Sequence, residues 1–287
     1  MIKLLALDLD GTTLSSDGSL SDGNRLAISA AEERGVLVTI ATGRRFRDAR
    51  PVGLELELNA PLVTHNGGLL KFARSMETVH CSLLSAQTSL EIVSAGKALG
   101  GDALVSIDPE GDGTMLFDRV SDDNVPLRRY LRWAQGLHGD AAGREGVRQV
   151  EDLEAVVTSE KVVHISFSGT CGPMKVLESE LRQHLNESVT LLATIYPHLD
   201  FTLLDILPPD ASKGNAVKLL ADENGLSRDE VMVIGDNFND LEMLEYAGTP
   251  VVMGNSDPKL LERAEFYTTL SNDEDGVAAA IERFILN

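Results

Sequence analysis

The sequence predicts an α/β protein, a doubly wound parallel sheet interrupted by an inserted α+β domain. Near both ends of the 287-residue chain, short apolar runs alternate with helical patterns, which indicates parallel strands joined by helices. Several of these runs are apolar throughout, as is typical of strands buried on both faces. The middle of the chain shows pairs of strand patterns around turns, and such pairs favour an antiparallel sheet.

The elements of the first part follow in the order strand, helix, strand, helix, strand. Gly35 is expected to end the first helix. The predicted strands are KLLAL (3–7) and VLVTIATG (36–43), and PLVTHNGG (61–68) is predicted to be a third strand with its loop. The predicted helices span about 21–34 and start near 44. We expect these strands to share one parallel sheet.

The middle of the chain has the pattern of a separate domain. ALVSIDPEGDGTMLFD (103–118) holds two strand patterns around a turn rich in Pro, Gly and Asp, which predicts a hairpin. Further strands are predicted at 162–169, 189–195 and 200–207, and helices near 84–99, 122–137 and 173–185. We expect residues 1–81 and 208–287 to form the core domain and residues 82–207 the inserted domain.

The alternation of strand and helix returns after the insertion. A helix is predicted over about 212–224, then a strand VMVIGD (231–236) and a helix through Leu244. A strand PVVMG (250–254), a short helix, a strand FYTTL (266–270) and a last helix complete the pattern. These elements extend the same parallel sheet.

The composition excludes several classes of partner. The chain has 45 acidic and 25 basic residues, a formal net charge of -20, whereas nucleic acids and anionic membranes require a cationic face. Two cysteines, Cys81 and Cys171, are too few for a disulfide framework. No signal-peptide pattern and no apolar run of about 18 residues is present. We expect a cytoplasmic protein, a monomer or small homo-oligomer.

Two aspartates, Asp8 and Asp10, follow the first predicted strand. They point the same way because side chains alternate along a strand, and ligands bind beyond the carboxyl ends of parallel strands. A calcium loop of the EF-hand type fails because Thr13 occupies the required glycine position. The pair predicts a magnesium-type site, a nucleophilic aspartate, or both, and the simplest alternative is a capped turn.

A second acidic cluster lies in GDNFND (235–240). Asp236 closes a predicted strand, and Asn239 and Asp240 open the next helix, where acids can also complement the helix dipole. If the two strands are neighbours, Asp236 faces Asp8 across one cleft. Carboxylates that converge without a cation repel each other strongly, so this arrangement predicts a metal ion.

Two further groups predict an anion site. Thr42 and Gly43 lie between a strand and a helix, where a hydroxyl and free N–H groups bind anions, although Thr42 could be an ordinary helix cap. Lys213 lies in the first turn of a helix, where an ammonium opposes the helix dipole and a bound anion would reverse that penalty, although a surface lysine could occur there by chance. With the acidic clusters they predict a phosphate site, in which Asp8 attacks phosphorus. Asp10 then protonates the leaving oxygen and later activates water.

Four motifs carry a resemblance to a known superfamily. DxDGT at 8–12, TGR at 42–44, SKG at 212–214 and GDxxND at 235–240 resemble the motifs of the haloacid dehalogenase (HAD) superfamily. More narrowly, NGG (66–68), GDNFNDLEML, VVMGNS (251–256) and NDEDGVAAAI (272–281) are similar to Cof-type hydrolases of its IIB branch.

The resemblance implies a Rossmann-like core and a large cap domain inserted between Thr42 and Lys213. It implies that Asp8 is the nucleophile and Asp10 the general acid/base. Mg²⁺ is expected on the Asp8 and Asp236 side chains and the Asp10 main-chain carbonyl, with Asp240 supporting them. The phosphoryl group is expected on the residues of the anion site, namely Thr42, Gly43, Lys213 and Asn239.

These expectations amount to a magnesium-dependent phosphatase of small phosphorylated metabolites, with sugar phosphates first among them. A phosphomutase of the same fold is the nearest alternative, and it is distinguished by an isomerised product instead of free phosphate. A phospho-accepting signalling domain also surrounds magnesium with an aspartate, a hydroxyl and a lysine, but it needs neither Asp10 nor a cap. A binding protein on a catalytically inactive scaffold is disfavoured because every required residue is present.

Overall fold

The structure, a computed structural model, describes residues 1–136, 146–185, 188–196 and 200–287. These residues divide into two compact units. The first, here the core unit, comprises Met1–Arg44, Ala49–Val79 and Ser212–Asn287. The second, here the insert unit, comprises Arg45–Asp48 and His80–Ala211.

Strands and helices alternate along both outer parts of the chain. The strands are β1 (Leu4–Leu7), β2 (Leu37–Ile40), β3 (Leu62–Thr64), β4 (Leu69–Lys71), β5 (Thr78–Cys81), β6 (Ala103–Ile107), β7 (Thr114–Phe117), β8 (Val147–Gln149), β9 (Val162–Gly169), β10 (Thr190–Tyr196), β11 (Phe201–Leu207), β12 (Val231–Gly235), β13 (Thr249–Val252) and β14 (Tyr267–Thr268). The helices are α1 (Asp22–Glu33), α2 (Phe46–Glu55), α3 (Ala86–Ala98), α4 (Val125–Gly136), α5 (Leu153–Val157), α6 (Cys171–Leu185), α7 (Lys213–Glu223), α8 (Leu241–Tyr246), α9 (Pro258–Leu261) and α10 (Gly276–Ile281). Among these described residues, none of the helices is long and apolar enough to cross a membrane.

The core unit is built on a parallel sheet in the order β14-β13-β12-β1-β2. β1 is fully buried, and its Leu7 pairs with Ile40 of β2 and with Ile234 of β12. The residues that follow β1, β2 and β12 therefore lie at the same edge of the sheet, where open α/β sheets bind ligands. The parallel sheet predicted from the apolar runs is confirmed for these five strands. The strand predicted within 61–68 differs, because β3 belongs to a separate sheet and meets the end of β2 only through one parallel bridge, between Ala41 and Val63.

Helices α7 and α8 pack on this sheet through apolar side chains. Val217 and Leu220 of α7 and Met243 of α8 are buried in one cluster with Val231 and Val233 of β12. Each such side chain contributes about 1.5–3 kcal/mol when fully buried. The start of α7 is thereby fixed beside the carboxyl end of β12.

The loop after β1 is tied to the helices by a buried asparagine. Asn24 of α1 donates to the main-chain oxygen of Thr13 at 3.2 Å and accepts the N–H of Ala278 in α10 at 3.0 Å. The Thr13 hydroxyl donates back to the main-chain oxygen of Asp8 at 2.6 Å. Because buried polar groups need such partners, these bonds hold the turn that carries both aspartates.

The third predicted strand and its loop are β3 and a left-handed turn. β3 ends at Thr64, and the chain then turns through His65–Gly67 with positive φ at all three residues. After the turn, β4 pairs with β3 in an antiparallel hairpin, and the sheet order is β3-β4-β5. The left-handed turn ends the strand because asparagine and glycine adopt positive φ far more readily than other residues.

The insert unit contains a sheet in the order β10-β11-β9-β6-β7-β8, antiparallel except for the parallel pair β7/β8. α3 and α6 cover one face, where Ile92, Leu177 and Leu181 pack with Phe167 of β9. Leu127 of α4 belongs to a separate cluster that includes residues of β6, β7 and β8. An α+β arrangement with an antiparallel sheet is what the strand patterns of this region predicted.

Most element predictions for the insert unit match the structure closely. β6 and β7 form the antiparallel hairpin expected over 103–118. The helix expected near 122–137 spans Val125–Gly136, and residue 137 lies outside the described residues. Two short elements, β8 and α5, were not predicted because three to five residues are too few to establish a periodicity.

Candidate active site

The predicted site residues lie where the core strands end. Asp8 follows β1, Asp236 follows β12, and Thr42 lies two residues after β2. Lys213 is the first residue of α7, whose N-cap Ser212 accepts the N–H of Asn215 at 3.1 Å. The sheet and one helix N-terminus therefore bring four separate sequence motifs to one edge of the core unit.

A buried lysine is the central contact of this edge. The Lys213 ammonium donates to Asp8 Oδ1 at 2.6 Å and to Asp240 Oδ1 at 2.7 Å. The side chains of Lys213 and Asp240 are 0% exposed and that of Asp8 is 8% exposed. Buried charges are tolerated only when they are paired in this way.

Burial and charge shift the pKa values of this cluster strongly. Burial lowers the pKa of Lys213, but the Asp240 and Asp8 carboxylates outweigh it and raise the pKa above its ordinary value. Burial raises the pKa of Asp8 well above its ordinary value, and neighbouring carboxylates raise it further against the opposing effect of Lys213. The lysine is therefore charged, and the site still carries more negative than positive groups.

Asp236 completes the acidic cluster. Thr12 Oγ1 donates to Asp236 Oδ1 at 3.0 Å. Gly11, with φ +79°, lies beside the same carboxylate, and a Cβ at this position would come within 2.6 Å of Asp236 Oδ2. Burial, with the Asp240 carboxylate as the next cause, raises the pKa of Asp236 to about 6. Only glycine leaves room for the carboxylate here and also adopts this backbone conformation without strain.

The residues present fit a magnesium ion. Carboxylate oxygens of Asp8, Asp236 and Asp240 all lie within 4.8 Å of one another. Hard divalent cations prefer such an all-oxygen donor set. The raised pKa of Asp236 has the same origin, because a buried carboxylate among other carboxylates is unfavourable until a cation neutralises it. This cluster is the donor set that could hold the metal.

Asp240 organises the loop that carries Asp236. Its Oδ2 accepts the main-chain N–H groups of Asp236 and Asn237, both at 3.0 Å, while its Oδ1 accepts from Lys213. Both oxygens are thus engaged by the protein. This arrangement suits Asp240 to a supporting position behind the Asp8 and Asp236 carboxylates.

Asp10 differs from Asp8 in both exposure and partner. Its side chain is 59% exposed and forms a two-bond ion pair with Arg44. Arg44 Nε donates to Asp10 Oδ2 at 2.8 Å, and a terminal guanidinium nitrogen donates to Asp10 Oδ1 at 2.5 Å. The two aspartates therefore occupy different environments, a buried one on Lys213 and an open one on Arg44.

The Thr42–Gly43 loop is held by the left-handed turn at His65–Gly67. The N–H of His65 donates to the Arg44 oxygen at 2.9 Å, and that of Asn66 donates to the Thr42 oxygen at 3.0 Å. Thr42 is buried, and its hydroxyl accepts the Arg44 N–H at 3.1 Å. A Cβ on Gly43 would come within 3.1 Å of the Asn66 side chain. The loop is therefore fixed from both sides.

The same turn also contacts the other parts of the site. Gly67, with φ +99°, lies so close to the start of α7 that a Cβ there would be 2.1 Å from the Ser212 oxygen. The Asn239 amide donates to Asn66 Oδ1 at 3.5 Å, a long bond. The turn thus touches the loop of Thr42, the helix of Lys213 and the side chain of Asn239.

The structure brings some of the predicted site residues into direct contact with one another and leaves others apart. Asp8, Lys213, Asp236 and Asp240 form one contiguous cluster. The Asp10 carboxylate contacts Arg44, and Asn239 contacts Asn66. The magnesium and phosphate contacts expected for Asp10, Thr42, Gly43 and Asn239 stay predictions.

Several residues that shape this edge were not assigned a role from the sequence. Thr12 bonds Asp236, Arg44 bonds Asp10, and Asn66 holds the Thr42 loop. Asn255 donates to the Gly11 oxygen at 2.8 Å and accepts the Asn272 N–H at 2.9 Å. All four lie inside the sequence motifs that carry the family resemblance. Their position in these motifs is the signal that could have identified them.

Known proteins resemble this chain over nearly its whole length. A sequence profile of the haloacid dehalogenase-like hydrolases matches residues 5–281. The 5-amino-6-(5-phospho-D-ribitylamino)uracil phosphatase YwtE of Bacillus subtilis is 29% identical over 99% of this chain and 98% of its own length. The HMP-PP phosphatase of Cronobacter sakazakii is 32% identical over 91% of this chain and 87% of its own length.

Solved structures give the same result at the level of the fold. A haloacid dehalogenase-like hydrolase from Bacteroides thetaiotaomicron matches with a TM-score of 0.82 and 27% identity, covering 99% of this chain and 100% of that chain. The similarity therefore includes both outer segments and the insertion between them.

Proposed function

Because the chain belongs to the haloacid dehalogenase-like hydrolases, of the Cof type, we propose that it is a Mg²⁺-dependent phosphatase that hydrolyses phosphomonoesters of small metabolites through an aspartyl-phosphate intermediate. The observation that carries this proposal is the buried contact between the Lys213 ammonium and Asp8 Oδ1 at 2.6 Å. It orients one carboxylate oxygen beside a fixed positive charge, which favours the approach of an anionic phosphoryl group.

In the proposed reaction, Asp8 attacks phosphorus while the bond from phosphorus to the leaving oxygen breaks. Asp10 gives its proton to that oxygen and the alcohol leaves. A water molecule then attacks the aspartyl phosphate, Asp10 takes the water proton, and free phosphate leaves Asp8. Lys213, Thr42, Gly43 and Asn239 are the groups that would bind the phosphoryl oxygens.

We assign the metal to the same edge. The Asp8 and Asp236 side chains and the main-chain oxygen of Asp10 would hold Mg²⁺, with Asp240 supporting them. When bound, the ion neutralises the negative charge that otherwise separates a carboxylate nucleophile from a phosphate. Lys213 keeps Asp8 oriented, and Asp240 keeps Lys213 and the loop of Asp236 in place.

The substrate class follows from the relatives. One related enzyme is named for a substrate that carries a 5-phospho-D-ribityl group, and another is named HMP-PP phosphatase. Small phosphorylated metabolites, with sugar and sugar-alcohol phosphates first, are therefore the compounds to test. We further propose that residues 82–207 act as the cap domain that selects the substrate.

A cytoplasmic location stays part of the proposal. It is supported by the two free thiols, Cys81 and Cys171, because a reducing compartment keeps thiols in that state.

The test is phosphate release from a panel of phosphorylated metabolites, with magnesium and with chelator. We expect turnover that chelator abolishes and that Asp8→Asn lowers by at least about 10³-fold, since the nucleophile is lost. An isomerised product without free phosphate would indicate a phosphomutase. A phosphorylated protein that persists for minutes would indicate a phospho-accepting signalling protein, and either result would contradict the proposal.

A further inference from the structure

An exposed, doubly hydrogen-bonded ion pair joins the proposed general acid/base to an arginine with no assigned role. Arg44 and Asp10 share two hydrogen bonds, at 2.8 and 2.5 Å, in the fork geometry that a guanidinium forms with a carboxylate. The Asp10 side chain is 59% exposed and that of Arg44 is 18% exposed. Ion pairs with this much exposure contribute little to stability. The geometry of the pair therefore calls for a functional explanation.

The main chain of Arg44 is fixed on both sides. Its N–H donates to Thr42 Oγ1 at 3.1 Å, and its oxygen accepts the N–H of His65 at 2.9 Å. The side chain of Arg44 extends from this fixed main chain, and its planar fork favours one orientation of the partner carboxylate. A rigid loop and a rigid head group together determine where the Asp10 carboxylate stands.

Asp10 needs such a support more than Asp8 does. The Asp8 carboxylate is held by a fully buried lysine, whereas the Asp10 carboxylate stands open to solvent and would otherwise sample several rotamers. Proton transfer requires the carboxyl oxygen within hydrogen-bond reach of the leaving oxygen. Each carboxylate oxygen keeps a second lone pair when Arg44 is bound, so the pairing leaves a position on Asp10 for the proton.

We propose that Arg44 is the positioning residue of the general acid/base: its guanidinium fixes the Asp10 carboxylate at the point where the leaving oxygen receives its proton. This inference rests on the proposed phosphatase function. In the first half-reaction the bond from phosphorus to the leaving oxygen breaks, the bond from phosphorus to Asp8 forms, and the proton moves from Asp10 to the leaving oxygen. Arg44 acts only through Asp10 and makes no bond to phosphorus.

The experiment uses two aryl substrates of similar shape and different leaving groups. The p-nitrophenolate ion leaves p-nitrophenyl phosphate without a proton, whereas the alcohol of p-nitrobenzyl phosphate needs one. The constant kcat/KM reports the steps up to transfer of the phosphoryl group to Asp8, so it isolates the step in which Asp10 acts as an acid. We expect Arg44→Met to lower kcat/KM by about 10- to 100-fold for p-nitrobenzyl phosphate and by less than about 3-fold for p-nitrophenyl phosphate.

Four further variants make the test specific. Arg44→Lys keeps the charge without the fork, so it should recover part of the lost rate. Asp10→Asn should show the same dependence on the leaving group, and adding Arg44→Met to it should cause no further loss, because both changes remove one interaction. Arg25→Met removes an exposed arginine that pairs with Asp22 on α1. It should leave kcat/KM unchanged for both substrates.

The outcomes separate this inference from the proposed function. Equal losses of kcat/KM for the two substrates in Arg44→Met would overturn it and would mean that Arg44 binds the phosphoryl group directly. Unchanged kcat/KM values for both substrates would also overturn it, because the ion pair would then have no role in the reaction. Calorimetry should give each variant the same unfolding temperature and the same magnesium affinity as the wild type. A wild-type protein that hydrolyses neither of these substrates nor any compound of the metabolite panel would contradict the phosphatase function itself.

Discussion

Lys213 lies among more carboxylates than it can neutralise. It pairs with Asp8 and Asp240, and Asp236 belongs to the same cluster. Three carboxyl groups share one ammonium in a region sheltered from water, and burial with the neighbouring carboxylates raises the pKa of Asp8 and Asp236. A divalent cation would relieve this cost, so the proposed chemistry and the proposed affinity for metal would have one electrostatic cause.

The first prediction concerns Asp236 in the metal-free protein. Burial raises its pKa from 3.8 to about 6, so the folded state holds a proton that the unfolded state releases. Protonation of Asp236 therefore stabilises the folded state. This stabilisation is complete below about pH 4 and is lost as the pH rises through about 6. Asp236→Asn keeps an oxygen for Thr12 without the charge. It should therefore be more stable than the wild type by about 2 kcal/mol at about pH 7.5.

Urea unfolding in the presence of chelator measures this difference. At about pH 4.5 the advantage of Asp236→Asn should fall to less than about half, since much of the wild-type carboxyl is then protonated. Equal stability of the two proteins at both pH values would contradict the assignment of a strained charge to Asp236.

At the scale of the element, the turn at His65–Gly67 is the part that the strand pattern did not predict. PLVTHNGG was expected to be a strand with its loop, and the strand ends at Thr64, but the positive φ that begins at His65 was not part of that prediction. Apolar periodicity reports burial and says nothing about handedness of the backbone. The NGG sequence signals a turn, but its contacts with Thr42 and Ser212 come from distant parts of the chain.

A pair of substitutions at Asn66 separates the backbone of this turn from its side chain. Asn66→Gly retains access to the φ of 50° and removes the amide, while Asn66→Ala removes the amide and disfavours that φ. We expect Asn66→Ala to be about 1 kcal/mol less stable than Asn66→Gly. Both should weaken inhibition by orthovanadate equally, because both lose the contacts with Gly43 and Asn239.

Unfolding curves and vanadate inhibition constants check this prediction together. Inhibition that weakens in Asn66→Ala alone would show that the conformation of the turn matters and that the amide does not.

At the scale of the whole molecule, the outer parts of the chain were more predictable than the details of the site. Runs such as LLAL and VMVIG are buried on both faces of a parallel sheet, so their pattern identifies them as strands without further information. The pairing of Arg44 with Asp10 was not predictable, because the sequence pattern does not show which of many carboxylates an arginine contacts. Sequence periodicity also does not predict that Arg45–Asp48 belong to the insert unit. Arg45 donates there to the Gly146 oxygen at 2.7 Å.

The net charge of -20 predicts how the whole protein responds to ions. Its negative groups repel one another, and salt screens that repulsion. Raising NaCl to about 0.5 M should therefore stabilise the wild type and Asp236→Asn to the same extent. Magnesium at equal ionic strength should add a further stabilisation only where the specific site is intact, following the linkage of binding to folding.

Thermal unfolding with sodium and with magnesium salts at matched ionic strength tests this response. A magnesium-specific stabilisation of the same size in Asp236→Asn would mean that the ion acts by screening alone.

The order of strands in the core sheet has a consequence for translation. β1 lies between β2, which follows it closely in the chain, and β12, which comes after the whole insertion. When the ribosome has released the chain only as far as Ala211, β1 has an open edge, and such edges invite pairing with other chains. Asp8 and Asp10 have already emerged, but Lys213 and Asp236 have not. The nascent protein therefore carries Asp8 and Asp10 on an unfinished sheet until β12 arrives, and the cluster of Asp8, Lys213 and Asp236 cannot form before then.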